Sequence, residues 1–502
     1  MKMIYGVKDK PKIPQLILFS LQQLLAVLAA TIAVPIIVGN GMSTSAALFG
    51  AGVGTLVYLL FTKFKSPVFL GSSFAFLESM AAAFAGGVSA SLGYVGLIIG
   101  AVLAGLVYVI IAVVVKFAGV RWIDKIMPAV VIGPAVAIIG LSLAGNAIGD
   151  LMSGNVFGTA SEWAFKFDDA GQQVFENGVP VVEEVTKSVM LCSPFAALVC
   201  GLVALAVTIV CSVYGKKLMK MIPFIIGILS GYAVAAIFTG IGYGAHCDAL
   251  KIIDFAKFKH MQWYPDFAFI SAFVNGSYTT GKVGSIGAYI GTIAVAYIPV
   301  SFVVFAEHIA DHKNISSIIG EDLLKDPGLT RTLLGDGIGS MAGAFFGGCP
   351  NTTYGESVGC VAISGNASVI TIVVTAGLAI VFSFIAPFVT FLATIPSCVM
   401  GGVCIALYGF IAVSGLKMIQ KVDLGDNRNL FVVSVILIAG VGGMCLTFGS
   451  VKITEVACAL ILGILVNLLV NIKRKKKGGE QLEIDIDAAS DENKTEETNE
   501  KV

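Results

Sequence analysis

Apolar positions run through this chain in long, unbroken stretches rather than in the alternating patterns of soluble helices and strands. A helix that crosses a bilayer needs about 20 consecutive, mainly apolar residues. Residues 97–115, 188–214, 369–387 and 430–448 each provide such a stretch. The roughly 10-residue alternating segments of a membrane β-barrel are absent. The pattern therefore predicts an all-α polytopic membrane protein.

The distribution of basic residues predicts the orientation of these stretches in the membrane. About 14 spans are predicted, and they begin near residues 13, 45, 71, 92, 124, 188, 221, 284, 332, 351, 368, 391, 430 and 452. With the N-terminus in the cytoplasm, 25 of the 32 Lys and Arg residues fall on the cytoplasmic side, as the positive-inside rule requires. Both basic termini then lie inside, which needs an even number of spans. We expect a multi-pass protein of the cell (inner) membrane, with the lipid bilayer as its surroundings.

Composition excludes several classes of function. The chain is 57% hydrophobic and only 13% charged, whereas soluble domains carry about 25% charged residues. No CxxC pair and no GxxxxGK[ST] loop is present. We therefore expect no metal, no cofactor, no nucleic-acid partner and no enzymatic activity, and transport driven by an ion gradient rather than by ATP.

Two predicted spans open with Gly and small polar residues at membrane depth. They read LGSSFAF at residues 70–76 and GGCPNTTYGE at residues 347–356. Unwound backbone is tolerated there only where it lines a cavity or meets a ligand, and the half-helix that follows aims its N–H groups at that ligand. The two segments occupy matching places in two halves of seven spans, which predicts a 7+7 inverted repeat. Close helix packing is the alternative use of such glycines.

Acidic residues inside apolar spans are costly and usually functional. Glu307 and Asp311 lie four residues apart and so share a helical face. Burial and mutual repulsion favour a bound proton on one of them. Glu356 lies just inside the second interrupted span. Asp336 has Arg331 nearby as an expected partner.

Three further polar residues are assigned structural roles at this stage. His308 and His312 are expected at the cytoplasmic water boundary, and Glu78, one turn past the first interrupted segment, is expected to help helices pack. These expectations follow from position alone.

Three motifs together resemble the nucleobase–ascorbate transporter family, in particular its bacterial branch that carries uracil. They are AEH at residues 306–308, DLLKDPGL at residues 322–329 and PNTTYGE at residues 350–356. The likeness runs from about residue 11 to residue 471. It implies a core domain of spans 1–4 and 8–11, a gate domain of spans 5–7 and 12–14, and short antiparallel strands in spans 3 and 10.

The expected boundaries follow from these spans. They are a cytoplasmic N-terminus 1–12, core spans 13–117, gate spans 122–240 with an outer loop 144–187, an outer loop 241–283, core spans 284–389, gate spans 390–472 and a cytoplasmic tail 473–502. The tail begins with a basic cluster at residues 473–477, and residues 478–502 after it are acidic and poor in apolar residues, which predicts disorder.

The resemblance also implies roles for single residues. Glu307 and Glu356 would hydrogen-bond the base, and Phe74 would contact it through its backbone and by stacking. The rest of the implied pocket comprises Ser72, Tyr354, Gly355, Ala30 and Tyr408. Proton symport is implied as well, with Glu307, Asp311 and Glu356 as the coupling groups.

The chain departs from the family pattern at several positions. Where relatives show Glu-Asn-x-Gly-x4-Thr-Arg, this chain reads ESVG at residues 356–359 and later SG at residues 364–365. Asp311 stands where some relatives carry His. Glu356 stands where xanthine and urate carriers show Gln, which favours uracil as the cargo.

The expected activity is proton-coupled uptake of uracil by alternating access. A purine (xanthine or guanine) or other nucleobase permease of the same fold is the first alternative. An anion exchanger is less favoured because paired carboxylates would repel the cargo, and a channel would need a continuous polar pore. The oligomeric state stays open, with a homodimer as the state common among relatives.

Overall fold

A computed structural model describes residues 3–119, 121–165, 175–176, 179–180, 182–216, 218–261, 263–274, 276–448 and 451–471. The predicted tail 473–502 lies outside the described residues, as do Asp168 and Asp169 of the predicted outer loop.

Long apolar runs form helices because a helix satisfies its own backbone hydrogen bonds. In chain order the α-helices are α1 Ile13–Val38, α2 Thr44–Phe61, α3 Leu77–Ala83, α4 Ala90–Ala118, α5 Arg121–Ile126, α6 Ala129–Ser142, α7 Ala144–Leu151, α8 Pro194–Tyr214, α9 Leu218–Met221, α10 Pro223–Gly244, α11 Ala268–Phe273, α12 Ile286–Ile319, α13 Leu329–Gly347, α14 Gly355–Ser364, α15 Val369–Phe382, α16 Ala386–Thr394, α17 Ser397–Ile419, α18 Asn427–Val441 and α19 Glu455–Asn471. Hydroxyl side chains cap several N-termini; Ser285, for example, accepts a hydrogen bond from the backbone N–H of Ala288 at 3.2 Å.

Short strands interrupt these helices. They are β1 Leu70–Ser72, β2 Phe157–Phe165, β3 Phe175–Glu176, β4 Val179–Pro180, β5 Val182–Met190, β6 Asn351–Thr353, β7 Leu446–Phe448 and β8 Val451–Ile453. All pair antiparallel, as β1–β6, β2–β5, β3–β4 and β7–β8. The segment 144–187, expected to be a loop, thus begins with α7 and contains most of the β2–β5 hairpin.

The described part of the chain contains eight helices long and apolar enough to cross a membrane. A further pair, α15 and α16, passes the same test together but bends by 84°. Large apolar side chains such as Leu106 and Ile110 are exposed along α4, where a bilayer would cover them. The expectation of a helical, multi-pass membrane protein is confirmed.

The helices pack as two groups. In the first, α2 and α4 pack against α13, α1 packs against α15, and α12 packs against α4; in the second, α6 packs against α17, α8 against α10, and α18 against α19. Glycines allow the closest approach: a Cβ on Gly54 would lie 2.7 Å from the Gly339 carbonyl oxygen, and the converse distance is also 2.7 Å. The two groups meet where α1 and α12 of the first contact α17 and α6 of the second.

The N-terminal segment packs beside the end of α14. The backbone N–H of Ile4 donates to the Gly365 carbonyl at 2.7 Å, and the N–H of Ala367 donates to the Tyr5 carbonyl at 2.9 Å. Ile4 and Tyr5 are therefore held against the helical body.

Candidate functional site

A buried strand pair lies where the two interrupted spans meet. Leu70 is opposite Thr353 and Ser72 is opposite Asn351. Beyond the strands, the N–H of Ser73 donates to the Pro350 carbonyl at 2.9 Å. Each segment supplies the hydrogen-bond partners that the other lost by leaving the helical conformation. The pairing thus stabilises an unwound backbone in the buried interior.

Gly71 and Tyr354 fit together within this strand pair. A Cβ on Gly71 would collide with the ring of Tyr354. The Tyr354 hydroxyl donates to the Ser72 carbonyl at 2.6 Å. Tyr354 is therefore engaged in holding the strands together, and only its ring remains available to line the expected pocket.

Helix α14 begins directly after this pair and carries Glu356 in its first turn. The preceding residue, Tyr354, makes no side-chain cap for the helix. The N–H groups of the first turn consequently have no capping side chain, and the positive end of the helix dipole lies at the site. Gly355 is exposed and Glu356 is partly exposed, whereas the strand residues before them are buried.

Helix α12 brings two further carboxyl groups to the same place. Glu307 and Asp311 are partly exposed, whereas Ala306 and His308 beside them are buried. The Thr353 hydroxyl donates to Asp311 Oδ2 at 2.9 Å. Glu307, Asp311 and Glu356 lie close enough to interact electrostatically. The fold therefore gathers the three carboxyl groups that the sequence singled out.

Phe74 and Tyr408 belong to different helix groups and contact each other across the boundary between them. Phe74 lies in the 3₁₀ turn Phe74–Phe76 after β1, and Tyr408 lies on α17. Their ring centroids are 5.6 Å apart with planes at 80°, an edge-to-face arrangement that aromatic pairs favour. Ala30 is fully buried in α1, and α1 packs against β1, α14 and α17.

The environments expected for the two histidines and Asp336 were wrong. His308 and His312 are fully buried rather than at a water boundary. Asp336 pairs with His308, whose Nδ1 lies 2.7 Å from Asp336 Oδ2, and Arg331 is exposed. A helix places residues five apart on different faces, so Arg331 points away from the core in which Asp336 is buried.

Two supporting side chains were missed at the sequence level. Thr353 binds Asp311, as described above. Gln23 Nε2 donates to Ser357 Oγ at 2.6 Å, and the same Oγ accepts the backbone N–H of Phe69 at 2.9 Å. The signal for Gln23 was present, because a glutamine pair at residues 22–23 interrupts the first apolar run.

No set of three or more His, Cys, Asp or Glu side chains is grouped for a metal in the part of the chain that is described. The groups present at the site are carboxyl groups, helix N–H donors and aromatic faces. Carboxylates accept hydrogen bonds, N–H groups donate them, and rings stack. Such a set suits a flat, neutral molecule with both ring N–H and carbonyl groups.

Comparison with known proteins gives consistent matches. The family model described as "Permease family" (Xan_ur_permease) matches residues 14–168 and 172–448. The chain is 37% identical over 475 residues to a uracil permease of Bacillus caldolyticus, covering 93% of this chain and 95% of the relative. It is 32% identical over 469 residues to a uracil permease of Escherichia coli (strain K12), covering 93% and 94%.

Among solved structures, the transmembrane domain of the cyanobacterium bicarbonate transporter BicA matches with a TM-score of 0.56. The match is 15% identical in sequence and covers 93% of this chain and 99% of that domain. At that identity the likeness concerns the fold.

Proposed function

Because this chain belongs to the permease family, we propose that it carries a nucleobase, uracil before any other, across the inner membrane together with a proton. The observation that carries the proposal is the meeting of Glu307 and Glu356 at the start of the uncapped helix α14. Relatives named uracil permease, at 32–37% identity over nearly the whole chain, support the choice of cargo.

The chemistry of uracil matches this arrangement. Its ring has two N–H donors and two carbonyl acceptors on a flat aromatic body. Glu307 and Glu356 would accept the ring N–H groups, and the first-turn N–H groups of α14 would donate to a carbonyl. Phe74 would cover one face. Ser72, Tyr354, Gly355, Ala30 and Tyr408 would complete the pocket.

Proton coupling follows from the crowding of Glu307, Asp311 and Glu356. Three carboxylates in one partly enclosed site repel one another, and a bound proton relieves that repulsion. A proton taken up with the cargo and released on the other side would link the two fluxes. Asp311 is the group best placed for this role, because its hydrogen bond to Thr353 leaves Glu307 and Glu356 to the base.

The two helix groups provide the moving parts. We assign spans in 13–117 and 284–389 to a core domain and spans in 122–240 and 390–472 to a gate domain, related as a 7+7 inverted repeat with both termini in the cytoplasm. The contact between Phe74 of the first group and Tyr408 of the second lies on the boundary where the groups would separate. Alternating access would then be a movement of one group against the other.

Two other cargoes deserve comparison. A purine permease would use the same acceptors in a larger pocket, and it remains the alternative within this fold. The fold is shared with a bicarbonate transporter, but an anion would meet three carboxyl groups at this site and be repelled.

Uptake of radiolabelled uracil into proteoliposomes tests the proposal. Vesicles with an inward proton gradient should accumulate uracil, and vesicles without a gradient should only equilibrate it. Unlabelled xanthine, guanine and adenine serve as competitors. Uptake of purines without uracil uptake would replace the cargo but keep the site. Uracil accumulation indifferent to the proton gradient would remove proton coupling.

A further inference from the structure

A small cavity lies behind the strand pair, between α4, α13 and β6. Tyr108, Asp336 and Asn351 line it together with apolar side chains such as Val304, and its volume is about 10 Å³. About 10–15 Å³ is the space that a single buried water requires. The cavity therefore has room for one guest the size of a water molecule.

Three of the lining residues carry an oxygen that finds no partner among the described residues. These oxygens are Asp336 Oδ1, Asn351 Oδ1 and the Tyr108 hydroxyl, and the residues are only 1%, 1% and 4% exposed. Asn351 Nδ2 donates to the Gly50 carbonyl at 2.9 Å, which identifies the remaining amide atom as an acceptor. Buried polar atoms are nearly always satisfied by protein or by ordered water, so a guest that satisfies all three is expected.

The hydrogen bonds around His308 indicate which charge on the bound species is compatible with the cavity. The Thr332 hydroxyl donates to the Leu329 carbonyl at 3.1 Å, so its oxygen accepts the N–H of His308 Nε2 at 3.0 Å. His308 Nδ1 and Asp336 Oδ2 are 2.7 Å apart, and two bare acceptors would repel at that distance. A second proton must lie between them.

The His308–Asp336 pair is therefore neutral as a unit, whichever atom formally holds the shared proton. A metal cation in the cavity would add an unbalanced charge to a fully buried site, which is unfavourable. A neutral guest adds none. The three unpartnered oxygens also fit a water molecule. Water can accept a hydrogen bond from the Tyr108 hydroxyl and donate one to each of the two acceptor oxygens.

We propose that this cavity binds a single structural water, which accepts a hydrogen bond from Tyr108 and donates to Asp336 Oδ1 and Asn351 Oδ1. The water links the His308–Asp336 pair to β6. His308 is adjacent to Glu307, and β6 leads through Tyr354 and Gly355 into Glu356. The link thereby helps to position the two elements that carry the site, and it exists whatever the cargo is.

A structure of the full chain at a resolution that reveals ordered waters tests the proposal directly. Density for one water within hydrogen-bonding distance of all three oxygens is the expected result. The Tyr108→Phe variant should lose or displace that density, because the hydroxyl that donates to the water is gone. A wild-type cavity without density, or with a guest that has the short distances of a metal site, would overturn the proposal.

Thermal unfolding of the purified protein gives a second readout that does not depend on transport. Tyr108→Phe should lower the melting temperature by roughly 1–2 °C, as expected for the loss of one buried hydrogen bond. Tyr297→Phe is the matched control, because the Tyr297 hydroxyl is also buried without a partner in the described chain but does not line the cavity; its melting temperature should not fall. The melting temperature of the wild type is also compared in NaCl and in choline chloride. A higher melting temperature in NaCl that is lost in Asn351→Leu would identify the bound species as Na⁺ and refute the water.

Discussion

Thr353 donates a hydrogen bond to Asp311 across 2.9 Å, and this bond joins the strand that leads into α14 to the helix that carries Glu307. The two residues are 42 positions apart in the chain. The bond holds one carboxyl group of the site at a defined distance from the strand pair. Its loss should therefore affect both cargo binding and proton coupling.

Replacement of Thr353 by Val keeps the shape of the side chain but removes the donor to Asp311. The free energy of unfolding should fall by about 1.5–3 kcal/mol, the contribution of a hydrogen bond to a charged group. Cargo affinity should fall as well, because the strand that leads into α14 loses this tether to α12. The pH profile of uptake should shift as well, because Asp311 loses a group that favours its charged form. Thr353→Ser retains the hydroxyl and should restore both. If Val and Ser behave alike in proteoliposome uptake, the bond has no role in transport.

Replacement of Glu356 by Gln removes the charged acceptor at the start of α14. Binding of the base should weaken roughly 30- to 5000-fold, which corresponds to about 2–5 kcal/mol for truncating one partner of a charge-assisted pair. Equilibrium binding of labelled uracil to purified protein measures this directly. Glu321→Gln, at an exposed position outside the site, is the control and should bind normally. Unchanged affinity in Glu356→Gln would contradict its assignment to the base.

Glu307 is assigned to both binding and proton coupling, so Glu307→Gln should impair both. Affinity for the base should decrease, and accumulation should respond less to an imposed pH gradient. Uptake and binding measured on the same preparation separate the two effects. Normal gradient-driven accumulation in this variant would exclude Glu307 from the proton path.

Asp311→Asn separates coupling from binding. The amide oxygen can still accept the Thr353 hydroxyl, but the side chain can no longer bind and release a proton. Gradient-driven accumulation should be lost, while exchange of external for internal uracil at equal pH should persist. A variant that still concentrates uracil against its gradient would show that the proton travels elsewhere.

Replacement of Gly71 by Ala tests the importance of the β1–β6 strand pair. A methyl group there would collide with the Tyr354 ring, so Gly71→Ala should destabilise the fold and reduce binding. Gly287→Ala is the matched control, because nothing lies within 4 Å of its Cβ position. Melting temperature in detergent and uracil binding should both fall for the first variant only. Equal behaviour of the two would mean that β1 and β6 can separate at little cost.

Sequence reasoning succeeded where the physical signal is local. The long apolar runs predicted membrane helices, because the bilayer demands about 20 apolar residues in succession. The small, polar openings at residues 70–76 and 347–356 identified the interrupted spans, because hydrocarbon does not tolerate unwound backbone. The spacing of Glu307 and Asp311 placed both on one helical face.

What the sequence by itself determined, then, is the class of the protein; it also singled out the two segments at which helices give way to strands and the acidic residues of the candidate site. Only the tertiary structure decided which polar groups meet. Asp336 pairs with His308, 28 positions away, instead of with Arg331. Gln23 donates a hydrogen bond to Ser357, 334 positions away. Helical periodicity specifies the face on which a side chain lies but not the helix that packs against that face. Partners across helices depend on that packing, so they emerge only when the whole chain is folded.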